Sequence, residues 1–339
     1  MNELIKKLVE AYGPSGFEDG MRDLIRPEIE AYADEISVDA LGNLIAVKKG
    51  SGGGLKVMIA AHMDEIGVMV THITQDGFLR FTNIGGVLPH NLMGSRVQFA
   101  NGVIGVISSD RLEDRSKIHP LTKFFIDVGA SSPDDCPVGV GDAAGFVRPF
   151  LAQGKRLTAK AMDDRIGCVV AIETLKRLKT TPHDVYFAFT VQEEVGLRGA
   201  TVAAHALAPD IALAVDSTPA RDLPASDGRE NVAYNTQLDR GPAIYIADAD
   251  TLPSQRMIRH FAETGDALDI PYQFRQPGGG GTDAGAMHQQ LEGIPALSIS
   301  VPGRYAHTPV GLARVSDWQN TLRLIHAGVS RMTPALLKR

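Results

Sequence analysis

The stretch "LKVMIAAHMDE", Leu55 to Glu65, limits the possible folds more than any other part of the chain. A strand with one wet face alternates apolar and polar residues. This one does not: Val57 to Ala61 is apolar without a break. Such a strand is buried on both faces, inside a sheet covered by helices above and below. It then stops in His62, Asp64 and Glu65. In open α/β sheets, ligand sites lie outside the carboxyl ends of the strands, so this polar ending reads as the edge of a site.

The rest of the chain supplies the layers. Two amphipathic helices open it, the first in "MNELIKKLVEAYG" with Leu4, Ile5, Leu8 and Val9 on one face, the second with a stripe of Met21, Leu24, Ile25, Ile29 and Tyr32. "EISVDA" and "LIAVKK", joined by Leu41-Gly42-Asn43, predict a hairpin. From about residue 151 strand and helix alternate. A helix through "DRIGCVVAIETLKRL" turns Ile166, Val169, Val170, Leu175 and Leu178 inward. It is followed by strand "VYFAFTV", helix "RGATVAAHAL", strands "IALAVDS" and "AIYIAD", helix "SQRMIRHFAETGDAL", strand "PYQF", helix "TDAGAMHQQ", strand "PALSISV" and helix "SDWQNTLRLIHAGV". Between these parts the texture is different. "GVMVTHI", "FLRFTN", "SRVQFA", "GVIGVI", "FFIDVG" and "AAGFVRP" are short, rich in β-branched and aromatic residues, and separated by turns such as Asn101-Gly102. They predict a small β-barrel or sandwich. The expected fold class is therefore α/β: a mixed-sheet domain built from residues 1–66 and 151–339, interrupted by a β-rich insertion at 67–150.

A length of 339 residues is enough for such a core, and a net charge of −6 without a lysine-arginine run points away from nucleic acid and from anionic membranes. No apolar run reaches membrane-spanning length. Cys136 and Cys168 form neither a disulfide framework nor a metal spacing, which fits a reducing compartment. A cytoplasmic protein is expected.

Polar residues that follow apolar strands concentrate the chemistry. They are His62, Asp64 and Glu65, the pair Glu193-Glu194, Asp216, and His307 in "RYAHTP"; Asp163 and Asp164 add a further pair where a helix begins. Each has an ordinary reading taken alone: a satisfied core histidine, helix N-terminal acids, a solvated strand end, a turn cap. Brought to one sheet edge together, so many carboxylates repel unless cations hold them. Two histidines with several carboxylates suit zinc, cobalt or manganese, and a dinuclear site is the economical arrangement. Strand periodicity puts Asp64 on the same side as His62, where it can orient the imidazole. Neighbours in an extended chain point in opposite directions, so Glu193 and Glu194 need not do one job twice. "PGGGGTDAG" lacks the Lys-Ser/Thr of a phosphate loop. It reads as backbone that approaches a ligand closely, with Gly280, Gly281, Thr282 and Asp283 as candidate substrate contacts. The charged segment Ser108 to Lys117 reads as a solvated loop.

The order "AHMDE … AMDDRIG … QEEVGLRGA … AVDST … GGGTDAG … RYAHTPV" resembles the TET-type dinuclear metallo-aminopeptidases, the glutamyl aminopeptidase and FrvX-like group, over nearly the whole chain. "DDRIG" and "EEVGLRGA" are its specific parts. The resemblance implies two divalent metal ions per subunit, zinc first, with cobalt or manganese as alternatives. It implies one ion on His62, Asp163 and Asp216 and the other on Asp163, Glu194 and His307, with Asp163 bridging; a register shift would put Asp164 there instead. It further implies Glu193 as general base and acid, Asp64 as the residue orienting His62, and a cis peptide at Asp163-Asp164. Peptide substrates, dimerisation through the insertion and a dodecamer built from dimers are implied as well. The rival expectations are a dinuclear dipeptidase or N-acyl amino acid deacylase, with Arg304 or Arg165 recognising a carboxylate, and a glycosidase, for which Trp318 is the one tryptophan available for stacking on a sugar.

Overall fold

The computed structural model describes residues 2–111, 114, 117–224, 235–278 and 280–338. Part of the charged segment 108–117, and Gly279 of the glycine run, lie outside them. In chain order the elements are α1 (Asn2–Glu10), α2 (Asp19–Ile29), β1 (Glu35–Val38), β2 (Leu44–Lys48), β3 (Lys56–His62), β4 (Gly67–Ile73), β5 (Leu79–Ile84), β6 (Arg96–Phe99), β7 (Ile104–Ser109), β8 (Phe124–Asp127), β9 (Ala143–Phe146), β10 (Leu151–Gln153), β11 (Arg156–Ala159) and α3 (Met162–Arg177). There follow β12 (Asp184–Thr190), α4 (Arg198–Leu207), β13 (Ile211–Pro219), β14 (Ala243–Tyr245), α5 (Gln255–Ala267), β15 (Gln273–Arg275), α6 (Asp283–Met287), β16 (Ala296–Arg304), β17 (Gly311–Arg314) and α7 (Val315–Arg331). Among the described residues no helix is long and apolar enough to cross a membrane.

The apolar run Val57–Ala61 occupies β3, between β12 and β13, both parallel to it. The large mixed sheet runs β1-β2-β12-β3-β13-β16-β17-β11-β10, with β14 and β15 attached beside β16. Val57, Ile59 and Ala61 pack with Ile5, Met21, Ile166, Phe261 and Ile325, from α1, α2, α3, α5 and α7. Met58 and Ala60 face the other way, onto Ala200, Ala204 and Met287 of α4 and α6. The continuous apolar run is thus explained by helices on both faces. The five inward residues expected on this helix are all buried, four of them on α3 and Leu178 just past its end.

β4 to β9 close on themselves in the order β4-β5-β8-β7-β6-β9, a barrel with its own core of Val68, Phe81, Val97, Phe99, Ile126 and Phe146. Closure removes the open edges that six short strands would otherwise expose. β10, β11 and β17 were not expected from the sequence; they extend the sheet as an antiparallel ribbon. Tyr32 lies beyond the end of α2, and α6 is shorter than the pattern "TDAGAMHQQ" indicates.

One buried histidine away from the sheet edge holds the fold. His183 Nδ1 accepts from the Leu55 amide (2.9 Å) and Nε2 donates to the Met332 carbonyl (3.1 Å), so the ring is neutral with its proton on Nε2. Burial lowers its pKa. The unfolded chain takes up a proton at the ordinary histidine pKa, the folded one only at lower pH. This residue's contribution is therefore present above the ordinary value and is lost as the pH falls through and below it. His183→Ala leaves both backbone groups unpaired and should cost about 2–4 kcal/mol. Urea unfolding at pH 7.5 measures it, and a midpoint equal to the parent's would contradict the pairing.

Candidate metal centre

Four neighbouring strands, β12, β3, β13 and β16, are parallel and end side by side, with Thr190 opposite His62 and Asp216 opposite Ser300. His62 closes β3 and Asp216 lies in β13. Glu193 and Glu194 come just past β12, after Gln192 takes a left-handed conformation (φ 55°). His307 follows β16, itself at φ 57°. Asp163 and Asp164 enter from the first turn of α3, where both depart from helical geometry and are joined by a cis peptide.

Asp163 stands between the two histidines. Its Oδ1 is 3.3 Å from His62 Nε2 and its Oδ2 is 3.6 Å from His307 Nε2. The adjacent glutamates diverge: Glu193 Oε2 lies 3.9 Å from His62 Nε2, and Glu194 Oε2 lies 3.3 Å from His307 Nε2. Asp216 Oδ1 is 3.9 Å from His62 Nε2. Asp164 is fully buried beneath them, its Oδ1 accepting from the Gly167 amide at 3.0 Å.

Asp64 is a hub. Its Oδ1 sits 3.4 Å from His62 Nδ1, and its carboxylate accepts from the Glu193 and Glu194 amides at 3.1 and 3.2 Å. One carboxylate thereby sets both the imidazole and the two-glutamate turn. Its supporting partners are not apparent from the sequence. Ser15, in the loop after α1, donates its hydroxyl to Asp64 Oδ2 at 2.6 Å, and buried Glu18 accepts from the Gln192 amide at 3.0 Å. Lys160 clamps Glu65 with contacts of 2.6 and 2.7 Å. In the sequence, "GPSGFED" offers a turn and an acid but no sign of a partner so far along the chain.

Glu193, Glu194, Asp163 and Asp216 border a cavity of about 440 Å³ together with Gly280, Gly281 and His307. Thr282 and Asp283 are buried beside it. Thr282 caps α6 and shares a 2.5 Å hydrogen bond with Ser298, and Asp283 accepts from Thr190 at 2.5 Å. Arg304 is paired with Asp222 at 2.9 Å, Arg165 is fully buried against the Leu8 and Gly13 carbonyls, and Trp318 lies in the core.

Burial raises the Glu193, Glu194 and Asp216 carboxyls well above the ordinary range, and their acidic neighbours push the same way. Asp163 goes down, because the two imidazoles outweigh its burial. His62 goes up: Glu193, Asp163 and Asp64 outweigh the desolvation that opposes its charge. Divalent cations would relieve this crowding of acids. The donors suit them: imidazole nitrogen and carboxylate oxygen, in two groups whose atoms lie within 4.8 Å of one another. One group is His62, Asp164 and Asp216; the other is His62, Asp163 and Glu194.

The family model described as M42 glutamyl aminopeptidase matches residues 42–324. The chain belongs to the M42 glutamyl aminopeptidase family. It is accordingly a metal-dependent peptide hydrolase. A putative aminopeptidase of Acetivibrio thermocellus is 45% identical over 96% of this chain and 97% of its own. An aminopeptidase structure from the archaeon Desulfurococcus kamchatkensis superposes with a TM-score of 0.95 at 40% identity, covering 99% of this chain and 96% of the other. The Pyrococcus horikoshii TET1 peptidase, described as able to assemble into a tetrahedron or a large octahedral shell, gives 0.86 at 34% identity over 98% of this chain and 99% of its own. The TET-type aminopeptidase resemblance carried by "DDRIG" and "EEVGLRGA", and the mixed-sheet α/β fold with an inserted barrel, agree with these relatives.

Proposed function

We propose that this M42 peptidase removes the N-terminal residue of short peptides at a dinuclear centre. The observation that carries the reading is Asp163, whose two oxygens face His62 and His307 separately. One ion is assigned to His62, Asp163 and Asp216, the other to Asp163, Glu194 and His307. Asp164 belongs to the first donor group and keeps one oxygen without a hydrogen-bond partner, but Asp163 is favoured as the bridge because its two oxygens face the two histidines. Zinc is the first choice of metal, with cobalt or manganese compatible with the same donors.

When bound, the ions acidify a water and polarise the scissile carbonyl. The protein does the rest. Glu193 takes the water's proton and returns it to the leaving amine; burial, with Asp216, Glu194 and Asp283 nearby, raises its carboxyl above the ordinary range, the direction that favours holding a proton. Asp64 fixes His62 and the amides of both glutamates. Gly280 and Gly281 form part of the wall along which the peptide lies, supported from beneath by Thr282 and Asp283. The free α-amine is placed beside Glu194 and Asp163, which limits cleavage to the chain end.

The two arginines expected to recognise a carboxylate, Arg304 and Arg165, are both engaged elsewhere, while Arg221 and Arg275 line the cavity. A glycosidase loses its stacking platform, since Trp318 is buried. Assembly is read as dimers formed through the insertion at 67–150, joined into a dodecamer with the sites inward, in keeping with the shell described for the horikoshii relative. Free Cys136 and Cys168 support a cytoplasmic setting.

The test is a substrate panel on metal-stripped protein reconstituted with zinc, cobalt or manganese. Aminoacyl-anilides should be cleaved after reconstitution, and N-acetylated amino acids and anilides should not. Turnover that survives chelation, or faster cleavage of blocked substrates, would overturn the reading.

A further inference from the structure

The insertion contributes directly to the metal centre, through the loop that leaves β5. Gly85 and Gly86 follow Ile84, the last residue of that strand. Gly85 is left-handed (φ 72°), and its carbonyl accepts from Asn83 Nδ2 at 2.7 Å and from the Val87 amide at 3.0 Å, which pins the turn. Gly86 has no such conformational demand, because its φ lies outside the left-handed region. What it lacks is room. A β-carbon on Gly86 would fall 2.3 Å from His307 Nδ1 and 2.9 Å from Cε1. A β-carbon on Gly85 would fall 3.1 Å from Glu194 Oε2. The same two glycines thus lie against the same two side chains, and His307 Nε2 and Glu194 Oε2 face each other across 3.3 Å.

His307 needs this wall. Its side chain is 44% exposed, whereas that of His62 is 2% exposed. It stands on a loop beyond β16 rather than inside the sheet. His62 is held by the sheet and by Asp64; on the side of Nδ1, His307 meets the bare backbone of Gly86.

We propose that Gly86 is a positioning residue for the His307–Glu194 half of the centre, so that the insertion sets the affinity of one ion and not the other. The proposal rests on the two-ion reading above. A methyl group at residue 86 must push the imidazole, because the atoms it meets belong to a side chain on an exposed loop and not to fixed backbone.

The experiment is calorimetric titration of Zn²⁺ and Co²⁺ into metal-free full-length protein. The variants are Gly86→Ala, Asn83→Ala, His307→Gln and the control Gly139→Ala, whose β-carbon would meet nothing closer than Asp142 Oδ2 at 3.9 Å. Gly86→Ala should weaken one of two binding events by about 10–100-fold, the range for outer partners of metal ligands. That event should be the one His307→Gln removes, and the other event and the control should match the parent. Should Gly86→Ala fail to fold, Asn83→Ala, which only releases the turn, decides by weakening the same event to a smaller degree. Two unchanged events in a folded Gly86→Ala, or equal weakening of both, would overturn the proposal while leaving the two-ion reading in place. A parent chain that binds a single ion would instead refute the dinuclear reading.

Discussion

Glu193→Gln should lower kcat by about 10²–10⁴-fold, the usual contribution of a general acid–base group, with both ions still bound. The substitution keeps the side chain's size and removes its ability to accept a proton. The backbone N–H groups of Glu193 and Glu194 both donate hydrogen bonds to the Asp64 carboxylate, so the neighbouring Glu194 should keep its place. The two halves of the prediction separate the roles of adjacent residues: turnover goes and metal content stays. A kcat within threefold of the parent would sink the base assignment. Loss of an ion would show that Glu193 is a ligand and that the pair has been divided wrongly.

Asp163→Ala should be more damaging still. Its two oxygens lie 3.3 and 3.6 Å from the two imidazoles, and no other carboxylate among the described residues is recorded against both. Elemental analysis should find less than one ion per subunit. Activity should fall by about 10³-fold or more, equivalent to losing the several kcal/mol of charge stabilisation that bound metal provides. His307→Ala is the milder counterpart and should give up one ion. If Asp163→Ala retained two ions while Asp164→Ala lost them, the bridge would belong to Asp164, which already lies within reach of His62 and Asp216.

The parts of the molecule that can be read from its sequence are those whose cause is local. The unbroken run Val57–Ala61 announces a strand covered on both sides, and His62, Glu193-Glu194 and Asp216 are visible because each ends or interrupts an apolar strand. β10, β11 and β17 are not legible. They are three or four residues long, β10 is exposed throughout, and pairing rather than composition makes them strands. Thr282 and Asp283 follow the glycines in sequence, yet the start of α6 turns both side chains into the core. Ser15 and Gly86 are legible only as turn residues, because the side chains that give them meaning, Asp64 and His307, are brought to them by the completed fold.

The strand order also sets a sequence of events during synthesis. β3 leaves the ribosome before β12 and β13, the two strands that will flank it, so its apolar run must wait without its final neighbours. All six barrel strands are complete by Phe146, ahead of either partner. The donors gather last of all, since His307 follows β16 and cannot face Asp163 until nearly the whole chain has emerged. The candidate metal centre would therefore report on the far end of translation: a chain truncated before His307 can contain all six barrel strands and four of the five assigned donors and still lack the fifth.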